Sequence, residues 1–234
     1  MITESVTAEI AEIFSSRQGE GLYAGQKQIF VRFSGCNLGC NYCDETAASQ
    51  AGKLTGIDEV MREVSRLKAA DGATAISLTG GEPLLHMNFL GGLLPRIKQA
   101  GLAVHLETNA TMPLAFKNVC DDIDVVAADI KLPSATGRDM WDMHRKFLEL
   151  CYDKVFVKIV ITSDSKKEEV DSAVKLIESV CRKIPLILQP VTQKPGKPAK
   201  SADKEFINSI HAFARQILPD VRVLPQQHPI WGVK

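Results

Sequence analysis

The sequence has no surplus of either charge: Lys plus Arg number 28 and Asp plus Glu number 28. A chain without net charge has no overall field to gather nucleic acid or an anionic membrane, and no local basic patch stands out to replace it. No apolar run approaches the roughly 18 residues that span a bilayer. The opening MITESVTAEIAEIF lacks the basic stretch and apolar core of a secretory leader. Both absences point to the cytoplasm. Cysteine is sparse, with six residues in 234, and Cys120, Cys151 and Cys181 lie far apart. That is too few for a disulfide framework and suits a reducing compartment. There is no internal sequence repeat, and the only linker-like stretch, Gln193–Ser201 (QKPGKPAKS), reads as a solvated loop. What is present is the mixture of an ordinary globular protein, 45% hydrophobic and 24% charged. The length suits one domain over residues 1–234.

Apolar, β-branched runs alternate with runs of helical period. Strands are expected at 27–33, 74–78, 102–106, 124–130, 155–161, 186–188 and 221–224. Helices are expected at about 58–70, 87–99, 113–119, 138–150, 166–181 and 203–218; the first carries Val60, Met61, Val64 and Leu67 at three- and four-residue spacing. Nearly continuous hydrophobic strands separated by helices imply a parallel sheet covered by helices. Six strand–helix units are fewer than the eight of a closed barrel, so the expected architecture is α/β, a partial, open βα barrel. Polar and glycine-rich residues cluster just after the strands, at Gly35–Asp44, Thr79–Pro83, Glu107–Asn109, Asp129–Lys131 and Gln189–Pro190. One rim of the sheet therefore carries the chemistry.

Cys36, Cys40 and Cys43 fall within eight residues in GCNLGCNYCD. A structural zinc site wants four ligands, often as two CxxC pairs, and no second pair exists. Three thiolates on a tight loop with Gly35 and Gly39 instead suit an iron–sulfur cluster with one open iron. Tyr42 beside the last cysteine offers either an aromatic wall or local packing. Arg32 interrupts the apolar run IFVRF just before this loop, and Glu107 ends the run LAVHLE in the same manner, so both are expected to point inward. His105 is expected to pack. His86, His144 and His211 are read as surface or satisfied core residues, and Asp121, Asp122 and Asp124 as a solvated loop. The three scattered cysteines are read as small core residues.

CxxxCxxC with an aromatic before the last cysteine, followed by Gly80-Gly81-Glu82-Pro83 at the end of the second strand, resembles the radical S-adenosylmethionine (SAM) enzymes. Glu12–Gly21 (EIFSSRQGEG), Leu106–Thr111 (LETNAT), Asp129–Ser134 (DIKLPS) and Arg222–His228 (RVLPQQH) with Trp231-Gly232 are similar to segments of the 7-carboxy-7-deazaguanine synthase family. The resemblance covers nearly the whole chain. It implies a radical SAM lyase of queuosine and deazapurine biosynthesis, a tRNA modification pathway. Such an enzyme converts 6-carboxy-5,6,7,8-tetrahydropterin to 7-carboxy-7-deazaguanine with loss of ammonia and regenerates SAM.

Residue by residue, the resemblance implies that Cys36, Cys40 and Cys43 ligate a [4Fe-4S] cluster. Asp44, Thr79, Gly80, Gly81, Glu82, Lys131 and Gln189 are the expected SAM contacts, with Thr79 also within reach of substrate. Gln18, Glu20, Arg32, Glu107 and His228 are the expected substrate contacts. Glu20 and Glu107 can accept from the N–H edge of a pterin, and Arg32 can fork a carboxylate. The family often follows its last cysteine with Asp-Thr, and that Thr helps hold Mg²⁺. Here Glu45 intervenes before Thr46, so either Glu45 or Thr46 is the expected ligand. The implied partners are the small pterin, a reductant protein such as flavodoxin or ferredoxin, and a second copy in a homodimer, with neither nucleic acid nor membrane. Two readings compete: a glycyl-radical activating enzyme acting on a partner protein, and a non-catalytic metal or redox-sensing module. QGEG and the His-containing ending argue against the first, and the GGEP segment is unexplained by the second.

Overall fold

A computed structural model of the chain describes residues 6–43, 51–192 and 199–233. Its strands are β1 (Thr7–Arg17), β2 (Lys27–Phe33), β3 (Lys53–Gly56), β4 (Ala75–Gly80), β5 (Ala103–Thr108), β6 (Val125–Asp129), β7 (Val155–Ile161), β8 (Leu186–Pro190) and β9 (Val221–Val223). They form one sheet in the order β3-β1-β2-β4-β5-β6-β7-β8-β9. The pairings from β2 through β9 are parallel, while β1 joins β2 and β3 antiparallel. The sheet is open, as the unit count implied. The helices are α1 (Ile57–Asp71), α2 (Met87–Gln99), α3 (Pro113–Lys117), α4 (Pro133–Thr136), α5 (Trp141–Glu149), α6 (Lys167–Cys181), α7 (Lys204–Ile217) and α8 (His228–Trp231). No helix among the described residues is long and apolar enough to cross a membrane.

The two faces of the sheet differ in kind. Side chains alternate across a strand, and the register puts Ile29, Val31, Ile76, Leu78, Leu106, Val126, Val157 and Ile159 on one face, all fully buried in the main core. Helices cover that face through apolar stripes such as Val60, Met61 and Val64 of α1 and Phe147 and Leu148 of α5. The opposite face carries Gln28, Ser77, Thr79, His105, Glu107, Asp129, Lys158 and Gln189, which line the concave side. A strand sequence such as VFVKIVI is thus apolar toward the helices and broken by one charge toward the hollow.

The hollow has an apolar floor. Ala127, Phe156 and Ile187 are packed there by Leu22 and Tyr23 from the turn Gly21–Tyr23. The Tyr23 ring lies 5.3 Å from His105 and 6.2 Å from Phe156. Gly21 makes this closure possible: its φ is +64°, and a Cβ there would sit 2.5 Å from the Phe156 ring.

Two strands were not expected from the sequence. β1 has Ile10, Ile13 and Phe14 at helical rather than alternating spacing, because a register shift between Ile10 and Glu12 interrupts the ladder. β3 is a four-residue edge strand too short to show a period.

Ala110, just past β5, has φ +55° and is fully buried. Relief of the left-handed strain favours Ala110→Gly by about 1–2 kcal/mol. The lost methyl costs about 0.8 kcal/mol, and the freer unfolded chain costs about 0.4–1 kcal/mol. These terms cancel, so urea unfolding of Ala110→Gly is expected to fall within about 1 kcal/mol of the parent.

Candidate active site

The loop after β2 is built on backbone-to-backbone contacts. Gly81 N–H donates to Phe33 O at 3.0 Å, and Glu82 N–H donates to Gly35 O at 2.8 Å, so the end of β4 is zipped onto the cysteine loop. Only glycine fits here. A Cβ on Gly81 would lie on the Gly35 carbonyl, and one on Gly80, whose φ is +121°, would lie on the backbone of Phe33. Asn41 N–H donates to Ala135 O at 3.0 Å, tying the far side of the loop to α4. Cys36 and Cys43 are exposed, Cys40 is half-buried, and none is in a disulfide. Burial is the largest influence on Cys36 and Cys40 and raises both thiols above the ordinary range. Asn109 Nδ2 donates to Asn37 Oδ1 at 2.8 Å and approaches Cys36 Sγ at 3.8 Å.

Among the described residues no three His, Cys, Asp or Glu side chains converge on one point as a single-ion site requires. Three cysteines spread along an exposed loop fit a cluster that takes one thiolate per iron. Asp44, Glu45 and Thr46, expected as SAM or Mg²⁺ contacts, lie outside the described residues.

Glu82 is fully buried. Thr108 Oγ1 donates to its oxygens at 2.8 and 2.9 Å, Asn109 N–H at 2.8 Å and Leu84 N–H at 3.1 Å. Burial outweighs these donors and pushes its carboxyl up to about 7. It thereby pins the rim of β4 to that of β5. Lys131 follows β6: its Nζ lies 2.8 Å from Asp129 Oδ2, donates to Tyr42 OH at 3.2 Å and sits 5.1 Å over the Tyr42 ring. Tyr42 is therefore tied to Lys131, beyond packing alone. Asp129 Oδ1 and Gln189 Oε1 are buried acceptors without a hydrogen-bond partner among the described residues. Two orphan acceptors near the rim fit a ligand rich in donors, such as the ammonium and ribose hydroxyls of SAM.

Deeper in the hollow, Glu107 accepts from Gln18 Nε2, Ser77 Oγ and Thr79 Oγ1, each at 2.8 Å. Thr79 thus stands with the expected substrate contacts. Gln18 Oε1 accepts from Glu20 N–H at 3.1 Å, fixing the QGEG turn. Glu20 Oε2 meets Lys158 Nζ at 2.5 Å, and its Oε1 accepts from Gln226 Nε2 at 2.7 Å. Burial opposes ionisation of Glu20, yet Lys158 and Gln226 hold it down at about 2. Arg32 pairs in register with Thr79 and lies 5.5 Å over the Phe14 ring, so it faces the hollow as expected. His228 opens α8 and packs on Gly19, where a Cβ would lie 2.7 Å from the imidazole, and Gln227 N–H donates to Gly19 O at 2.8 Å. The QGEG turn and the start of α8 thus meet.

Sequence reasoning missed Lys158, Gln226, Ser77 and Gln28. Lys158 interrupts an apolar strand as Arg32 does, and that signal was available. Of the histidines, His105 contacts Gln28 Nε2 at 3.3 Å, His86 contacts Ser34 O at 3.0 Å, and His211 contacts Val221 O at 3.2 Å. His144 is buried and its Nε2 accepts from Lys131 N–H at 3.3 Å. Asp124 latches Val104 N–H and Lys98. A separate surface hollow of about 740 Å³, lined by Tyr23, Lys154 and Arg182 among others, carries none of the candidate residues.

The Radical SAM superfamily model matches residues 30–177. The chain is 37% identical to the 7-carboxy-7-deazaguanine synthase of Geobacter sulfurreducens, over 96% of this chain and 97% of that one. It is 34% identical to that of Methanopyrus kandleri, over 94% and 92%. QueE from Escherichia coli has the same fold, with a TM-score of 0.67 at 20% identity, over 97% of this chain and all of that one. The fold and its cysteine rim are those of a radical SAM enzyme. The chain belongs to that superfamily and, within it, to the 7-carboxy-7-deazaguanine synthase family.

Proposed function

We propose that the chain converts 6-carboxy-5,6,7,8-tetrahydropterin to 7-carboxy-7-deazaguanine and ammonia for queuosine or another deazapurine, with SAM regenerated. The observation that supports this most directly is the convergence of Gln18 and Glu20 after β1, Glu107 at the end of β5 and Gln226 after β9 in one polar hollow. The cluster and SAM, when bound, supply a single electron and a 5′-deoxyadenosyl radical that removes one substrate hydrogen.

The chain's own residues hold and orient. Cys36, Cys40 and Cys43 hold the cluster. Asp44, Gly80, Gly81, Glu82, Lys131 and Gln189 would contact SAM; the glycine pair seats the β4 rim against the cysteine loop, and Asp129 and Gln189 keep acceptors open. Glu20 and Glu107 accept from the pterin's N–H edge, Thr79 fixes Glu107, Arg32 takes the carboxylate, and Gln18 and His228 are further substrate contacts. Mg²⁺ would be held by Glu45 or Thr46 and would supply positive charge for the substrate carboxylate. A flavodoxin or ferredoxin reduces the cluster, the enzyme works as a homodimer, and the cytoplasm is its compartment.

The test is an anaerobic assay of the reconstituted enzyme with SAM, a low-potential reductant, Mg²⁺ and the pterin, followed by mass spectrometry. The deazapurine should form without net loss of SAM. If 5′-deoxyadenosine accumulates without it, the substrate assignment falls. Glu107→Gln should lower kcat/KM about 10- to 100-fold, the usual worth of a hydrogen bond to a charged group, while SAM binding is retained.

A further inference from the structure

Below the rim, four charged side chains run across the hollow in alternating sign. Glu20 meets Lys158 at 2.5 Å, Lys158 meets Asp129 at 3.2 Å, and Asp129 meets Lys131 at 2.8 Å. All four are nearly enclosed; the side chains of Lys158 and Glu20 are 15% and 20% exposed. Lys158 is central because its one ammonium spans the expected substrate side and the expected SAM side. We propose that Lys158 is the positioning residue that keeps Glu20 anionic and aimed at the substrate. The inference rests on Glu20 being a substrate contact, the reading given above.

The chemistry follows from counting lone pairs. A carboxylate offers about four acceptor positions. Lys158 takes one on Oε2 and Gln226 takes one on Oε1, which leaves each oxygen able to accept one N–H from a heterocycle edge. A protonated Glu20 would present a donor and lose that match. Enclosure favours protonation, and the adjacent Lys158 ammonium, assisted by the Gln226 amide, reverses it. Lys158 does not serve as a proton donor, since the two carboxylates that clamp it favour its charged form.

Facing Glu20 and Lys158 are Asp129 on β6, Lys131 beyond it, and His105 and Glu107 on β5. All of these remain in every variant below, so a difference between variants reports on Lys158. The bland alternative is that Lys158 only neutralises buried charge for folding.

The experiment uses cluster-loaded enzyme without reductant, so nothing turns over, and compares Lys158→Met, Lys158→Arg, Glu20→Gln and the Glu20→Gln/Lys158→Met double variant. Infrared difference spectra against Glu20→Gln read the protonation of Glu20 directly, without substrate. The parent should show a carboxylate throughout, whereas Lys158→Met should show a carboxylic acid that ionises only as pH rises through about 6–8. Pterin binding should weaken roughly 10- to 100-fold in Lys158→Met, recover as pH rises, and be largely restored in Lys158→Arg. The double variant should bind no worse than Glu20→Gln alone. An unchanged carboxylate in Lys158→Met overturns the proposal, as does a loss that adds fully to that of Glu20→Gln. A parallel collapse of SAM binding also overturns it, by reducing Lys158 to a folding role. If the parent fails to bind the pterin while the infrared shift appears, the substrate reading falls and the control of Glu20 by Lys158 stands.

Discussion

Gly81→Ala is expected to prevent cluster loading and to bring the chain close to unfolding at ambient temperature. The added Cβ would lie 2.5 Å from the Gly35 carbonyl carbon and 3.2 Å from the Cys36 nitrogen. Both are backbone atoms, so no rotamer change can clear them. The strand end must move away from the cysteine loop, and the Gly81–Phe33 and Glu82–Gly35 hydrogen bonds go with it. Two lost hydrogen bonds at about 1 kcal/mol each and overpacking at about 1–3 kcal/mol give about 3–5 kcal/mol. That is a large share of the roughly 5–15 kcal/mol that holds a domain together. Gly91→Ala is the matched control: this exposed glycine lies inside α2, nothing stands within 4 Å of its Cβ, and the change should stabilise by about 0.5–1 kcal/mol. Thermal unfolding, and iron and sulfide analysis after reconstitution, read both. A Gly81→Ala protein that loads iron like the parent would show that the loop and the β4 rim are not locked together.

What the sequence makes legible divides along the same line. β2, β7 and α2 have the bounds expected because their own residues carry the period. The cysteine loop and the glycine pair are short motifs and can be read directly, although what requires the glycines, the backbone of Phe33 and Gly35, lies far away in the chain. The long strand β1 is hidden by its irregular register, and β3 by its length. The partners of Glu20 are hidden for a different reason. Lys158 lies 138 positions away and Gln226 lies 206 away, and only the sheet register and the return of the chain's end bring them together. Glu82 illustrates a finer limit. Its motif is the one expected to contact SAM, yet its side chain is committed to Thr108, Asn109 and Leu84, an attachment no spacing reveals.

That attachment gives Glu82 an unusual signature in the pH dependence of stability. Its carboxyl is pushed up to about 7 from an ordinary 4.5, chiefly by burial. A raised acid binds its proton more tightly when folded, so its stabilisation is full below 4.5 and is lost as pH rises through 7. His144 acts in the opposite sense. Burial brings its imidazole down to about 4 from 6.5, so its contribution is full above 6.5 and is lost as pH falls through 4. His105, also lowered chiefly by burial, has the sign of His144. For Glu82 and His144 the displacement corresponds to roughly 3 kcal/mol across each window. Between about pH 4.5 and 6.5 Glu82 therefore offsets one histidine. The cluster-free chain should lose stability on acidification more gently than its two buried histidines alone dictate. Glu82→Gln removes the offset and should steepen the loss by about 1.4 kcal/mol per pH unit, and His144→Gln should flatten it by a similar amount. Urea midpoints taken at intervals across that range separate the cases through slope, so a uniform loss of stability in either variant does not confound them. Equal slopes in the parent and Glu82→Gln would mean that Glu82 already titrates near its ordinary value, and that the cage formed by Thr108, Asn109 and Leu84 outweighs its burial.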